Sequence, residues 1–179
     1  MNNNPYGNNS NTKVKGLAFS GIITVLIIIG LYISSITPTN RIFFFCLSTV
    51  FISIVLIEYG TRLSIILYGS SAILGLILVP NKLIMVAYII FFGYYGILKY
   101  YIERLNNILI EWVIKIIIFN LGMFLIYVIV LYAIGLKVDI SKIFIITNII
   151  IGEIIFIVYD YVYSIIITLY INKLRKKIF

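Results

Sequence analysis

Six long apolar runs fill the chain between Gly16 and Ile171, and only short polar stretches interrupt them. The interruptions are Thr37 to Arg41, Glu58 to Arg62, Pro80 to Lys82, Glu103 to Asn107 and Lys137 to Lys142. A helix needs about 20 apolar residues to cross the hydrocarbon core of a bilayer. Inside that core every backbone N–H and C=O must find an internal partner, which a helix provides. The pattern therefore predicts an all-α fold, a polytopic integral membrane bundle of six transmembrane helices. The expected spans are 16–36, 42–57, 63–79, 83–102, 108–136 and 143–171. Pro38, Gly60, Pro80 and Gly135 fall at or near their ends, where helix breakers belong. The second and third spans are short and should cross with little tilt, whereas the last two exceed the core thickness.

Outside the spans little chain remains. Residues 1–12 are Asn-rich, contain Pro5 and Gly7, and offer nothing to bury, so they are expected to form a disordered cytoplasmic tail. Residues 13–172 form the six-helix transmembrane domain, and 173–179 a basic cytoplasmic tail. The first run is longer than a signal-peptide core, typically about 7–15 residues, and no small-residue cleavage site follows it. An uncleaved first helix is expected.

Composition narrows the class further. Of the 179 residues 63% are hydrophobic and 11% charged, and the mean hydropathy is +1.15. A soluble domain carries about 25% charged residues, so its surface could not be built from this chain. Cys46 stands alone, which excludes an internal disulfide, and it sits in an apolar run as an inert thiol. With no histidine in the chain, a His-bearing zinc site, an H-E-x-x-H protease and a Ser-His-Asp triad are all excluded. No P-loop motif occurs. No metal, no cofactor and no enzymatic activity are expected.

The net charge of +8 is unevenly placed. Six spans put both termini on one side. That side holds ten of the fourteen Lys and Arg residues, and the other holds Arg41, Lys82, Lys137 and Lys142. Cytoplasmic segments carry the excess of Lys and Arg, so both termini are expected in the cytoplasm of a multi-pass cell-membrane protein. The basic cluster Lys173 to Lys177 adjoins a span and suits anionic lipid headgroups; no nucleic-acid partner is expected.

Several residues carry candidate chemistry. Gly16, Ser20 and Thr24 recur every four residues, which places small side chains on one face of the first helix. Such a face either packs inside the bundle or docks a second membrane protein. Ser64, Tyr68, Ser71 and Gly75 mark an interior packing face or a cavity wall on the third helix, and Gly93 and Gly96 mark close packing on the fourth. Intramembrane carboxylates are costly and point to function. Glu153 lies about 15 Å into its span. Asp160 follows seven residues later on nearly the same face, closer to the cytoplasmic interface. Asn148 lies near the outer end of the same span, and Asn120 near the middle of the fifth. Glu153, Asn148 and Asn120 are thus candidates to line a cavity for a small polar ligand, or to join helices by hydrogen bonds. Near the hairpin after span four, Lys99/Glu103 and Glu111/Lys115 are spaced to pair along a helix. Trp112, Tyr94, Tyr95, Tyr100 and Tyr101 suit an interfacial aromatic belt.

Six helices in so short a chain, with small residues at the cytoplasmic end of the first, resemble the substrate-binding S components of energy-coupling-factor transporters. The segment Phe91 to Asn120 also resembles small Firmicute membrane proteins of related fold. The S-component resemblance implies a small-solute binding and uptake subunit. A transmembrane coupling subunit with its ATPases would then dock on Gly16, Ser20 and Thr24. The small patch here lacks the family's alanines, and no vitamin signature is present, so the resemblance implies no particular substrate. Two other classes remain: a structural or assembly membrane protein without ligand, and an intramembrane enzyme using Glu153 and Asp160. The last lacks any protease or lipid-transferase motif.

Overall fold

The computed structural model describes residues 7–134 and 142–174. Its elements are α1 (Gly7–Ile36), α2 (Arg41–Tyr59), α3 (Thr61–Leu78), α4 (Lys82–Ala87), α5 (Gly93–Ile102), α6 (Ile108–Ile134) and α7 (Lys142–Leu169). A π-helical turn, Tyr88–Phe92, joins α4 to α5 as one span, and a second, Tyr170–Leu174, extends α7. Among the described residues six helices are long and apolar enough to cross a membrane: Lys13–Ile36, Arg41–Tyr59, Thr61–Leu78, Lys82–Leu105, Ile108–Tyr132 and Thr147–Lys173. The all-α, six-span architecture expected from the apolar runs is the one observed.

One boundary differs. The helix begins at Gly7, so residues 7–12 are helical and not part of an unstructured tail. The segments 1–6, 135–141 and 175–179, which include Lys137 and most of the basic tail, lie outside the described residues.

Backbone contacts divide the chain into two compact units, Met1–Leu98 and Lys99–Phe179. In the first, α1 packs against α2, α3 and α4. Ile23, Ile27 and Leu31, each four residues apart, meet Ile52, Val55, Leu56, Leu67, Ile84, Met85 and Tyr88 in one core. Two hydroxyls buried in this unit bond back to their own helix: Ser20 to the Gly16 carbonyl at 2.8 Å and Ser53 to that of Thr49 at 2.8 Å. Gly60 alone separates α2 from α3, with φ +85°, a conformation that a side chain would strain.

The π turn is held by side chains from α2 and α3. A π turn redirects backbone carbonyls away from their usual partners. Thr49 donates to the Phe92 carbonyl at 2.8 Å and Tyr68 to that of Ile89 at 2.8 Å. Ser71 and the Tyr88 hydroxyl share a 2.5 Å hydrogen bond. The Ser64, Tyr68, Ser71 and Gly75 stripe thus serves packing: Tyr68 and Ser71 bond to the π turn, and Gly75 admits Met85. Gly93 admits the Tyr68 ring.

In the second unit, the short 3-10 turn Glu103–Leu105 and Asn106, at φ +51°, reverse the chain into α6. Asparagine is among the few residues that tolerate this left-handed conformation. Facing residues then descend in register along α6 and α7, which makes the pair antiparallel. Phe119 stacks on Phe156, with ring centroids 4.5 Å apart. An added Cβ at Gly152 would lie 3.6 Å from the Phe119 ring.

Candidate functional site

The seam of the second unit carries its chemistry. On α6, Trp112, Lys115 and Phe119 recur at three- and four-residue spacing and share one face. Across from them, α7 offers Phe156, Tyr159, Asp160 and Tyr163, all buried. Lys99 comes from the last turns of α5. Lys99 lies six residues before the end of its span, and Lys115 seven residues after Ile108. At 1.5 Å per residue both lysines stand about 10 Å along the helix from the nearer end of their spans.

There they converge on one carboxylate. Asp160 pairs through Oδ1 with Lys99 and through Oδ2 with Lys115, the latter at 3.2 Å. Lys99 Nζ also donates to the Asp160 carbonyl at 3.1 Å and to Ser164 Oγ at 2.7 Å. Glu103 completes the cluster: its Oε1 lies 3.4 Å from Lys99 Nζ and 3.0 Å from Lys115 Nζ. Lys99, Lys115 and Asp160 are 2%, 4% and 4% exposed, whereas the Glu103 side chain is 46% exposed. Aromatic faces cover the ammoniums. Lys99 Nζ sits 5.0 Å from the Tyr163 ring centroid and Lys115 Nζ 5.5 Å from that of Trp112. In hydrocarbon a lone lysine costs at least about 2.5–3.5 kcal/mol, so mutual pairing is what makes these positions tenable.

A groove of about 390 Å³ opens beside this cluster, lined by Trp112, Ile157, Val158, Asp160, Tyr161 and Ser164. Its volume falls at the small end of the range for small-molecule sites, about 300–1,000 Å³. Its wall is apolar except where Asp160 and Ser164 enter it.

The expected site residues take other roles. Asn120 donates to Glu153 Oε1 at 2.5 Å and to the Ile116 carbonyl at 3.0 Å. Glu153 therefore meets an amide across α6 and α7, and both are half-buried. Asn148 is exposed, and its five-residue offset from Glu153 turns it to a different side of α7. The three do not converge on one cavity. The proposed docking face is corrected more sharply. Ser20 and Thr24 are buried, and an added Cβ at Gly16 would lie 2.7 Å from the Tyr59 ring and 2.9 Å from Leu63. The face is filled from within by α2 and α3, because small residues allow close approach inside one chain as readily as between chains.

Of the hairpin pairs, Lys99/Glu103 forms, but the ion pairs of Lys115 among the described residues go to Glu103 and Asp160, not Glu111. Tyr95 is fully buried and does not join an interfacial belt, whereas Tyr100 and Tyr101 are exposed. The union of Lys99, Lys115 and Asp160 escaped the sequence reading. Matching depth was the available signal: two lysines and one acid each lie inside a span. No protein-family model, curated protein or solved structure matches this chain.

Proposed function

We propose that the chain is the solute-binding subunit of a small-molecule uptake system in the cell membrane, with both termini cytoplasmic, and that it is not an enzyme. The observation that carries this reading is the groove beside Asp160. It is of ligand size, lies in a membrane span, and adjoins charged side chains that hydrocarbon tolerates only for a reason. This moves the solute site from Glu153 to the other end of the α6–α7 seam. The resemblance to transporter S components supports the same class and a separate energising partner. Such a partner would meet a surface other than Gly16, Ser20 and Thr24, which are buried in this chain.

A second reading, a structural or assembly protein without ligand, is favoured by the Asn120–Glu153 bond, which joins two helices and satisfies both side chains. Purification of the tagged chain from its own membranes in mild detergent separates the two. Native mass spectrometry should find a non-lipid solute at near one-to-one stoichiometry, released on denaturation, and ATPase subunits should co-purify. A folded protein carrying neither belongs to the structural class.

A further inference from the structure

The four charges of this cluster are not equivalent. Lys99, Lys115 and Asp160 are nearly sealed, and Asp160 holds both lysines. Two ammoniums against one carboxylate leave this sealed trio one positive charge in excess. Glu103 supplies the balance, yet it is held differently. It stands on a short 3-10 turn, is half-exposed, and uses a single oxygen for both lysines. Glu103 is the one member of the cluster that reaches the surface, so it is the carboxylate a ligand could replace, where that of Asp160 is enclosed. The Lys115 ammonium also lies against the Trp112 ring, and Trp112 forms part of the groove wall.

We propose that Lys99 and Lys115 form an anion seat, that Glu103 is its built-in occupant, and that the ligand is an amphipathic monocarboxylate whose carboxylate displaces Glu103. Its apolar body lies along Ile157, Val158 and the rings of Trp112 and Tyr161. The charge excess selects one negative charge: a cation meets two ammoniums, and a dianion leaves an uncompensated charge in hydrocarbon. The wall selects the rest of the molecule, since Ile157, Val158 and the aromatic residues Trp112 and Tyr161 make up most of it, beside Asp160 and Ser164. Both of these already bond to Lys99, which leaves the exchangeable bonds to Glu103 as the point of entry. The proposal rests on the solute-binding reading and names the class of its ligand.

Trp112 is the single tryptophan of the chain, so its fluorescence reads the groove directly. The full-length protein in zwitterionic nanodiscs is titrated with three ω-brominated probes sharing one tail: decanoate, decanol and decyltrimethylammonium. Quenching is corrected for partition into empty discs. Decanoate should quench saturably, at concentrations about tenfold or more below those for decanol, as a charge-assisted hydrogen bond implies. Glu103→Gln, at a half-exposed position, should fold normally and bind decanoate more tightly, because the seat is vacated. Lys115→Met should abolish the preference for the carboxylate. Equal saturable quenching by all three probes, or Glu103→Gln binding decanoate no better than wild type, overturns the anion seat while leaving a solute site in place. No saturable quenching by any probe, in protein whose helical circular dichroism is intact, overturns both the seat and the groove as a solute site.

Discussion

Asp160 is the residue on which the second unit depends most. Its carboxylate pairs with two ammoniums that are almost sealed inside the protein, where neither has water as an alternative. Removing one partner of a buried ion pair costs about 3–5 kcal/mol, because the remaining charges stay buried without compensation. Asp160→Asn should therefore destabilise the protein by about that amount, and Glu103→Gln by less, because the Glu103 side chain is half-exposed and Asp160 still holds both lysines. Thermal unfolding in detergent, followed by circular dichroism, orders the two variants, and equal effects would contradict the burial difference between them. Glu153 is less exacting. Glu153→Gln keeps a carbonyl oxygen for the Asn120 amide and should be nearly neutral in the same assay. Asn120→Leu leaves the carboxylate without that donor and should cost about 1–3 kcal/mol. The presence of these polar residues at depth was legible in the chain, but their partners were not. Spacing of seven placed Asp160 below Glu153 on α7, and nothing in α7 alone showed that Lys99 and Lys115 would reach the lower residue while Asn120 took the upper.

At the scale of elements, the run lengths located every span to within a few residues, because the bilayer thickness is a constraint the apolar pattern must meet. The π turn of span four was not legible. Its cause lies in α2 and α3, whose Thr49 and Tyr68 hydroxyls meet the redirected carbonyls. Thr49→Val and Tyr68→Phe should each cost about 0.5–1.5 kcal/mol, the net worth of one hydrogen bond. Glycine positions give a sharper contrast. An added methyl at Gly93 would lie 2.5 Å from the Tyr68 ring and 3.0 Å from the Tyr88 carbonyl, and at Gly21 it meets nothing within 4 Å. Gly93→Ala should lose about 1–3 kcal/mol by overpacking, whereas Gly21→Ala should gain up to about 1 kcal/mol of helix propensity. Unfolding midpoints that shift alike for both would show that the helices do not pack as described. The small face of α1 teaches a related lesson. Four-residue spacing of Gly16, Ser20 and Thr24 announced a close contact, but spacing on one helix does not say whether the approaching backbone belongs to the same chain.

For the whole molecule, the proposed orientation with both termini cytoplasmic rests on an even number of spans and on the ten-to-four division of basic residues. A reporter fused after Phe179 should be active only as a cytoplasmic marker, and one inserted beside Lys82 only as an external one. A C-terminus found outside would overturn the orientation. The Lys99–Asp160 contact also orders events in time. Its partners are 61 residues apart in the chain. At a synthesis rate of about 5–20 residues per second, roughly 3 to 12 seconds pass between the emergence of the lysine and that of the aspartate. Throughout that delay span four must enter the bilayer bearing a cation whose deepest counter-ion has not yet been made. Glu103, one helical turn after Lys99 and translated within about a second of it, is the nearest available chaperone for that charge. Ribosome-bound nascent chains arrested before α7 should then insert span four poorly when Glu103 is neutralised, whereas the finished protein, with Asp160 in place, should feel the same change less.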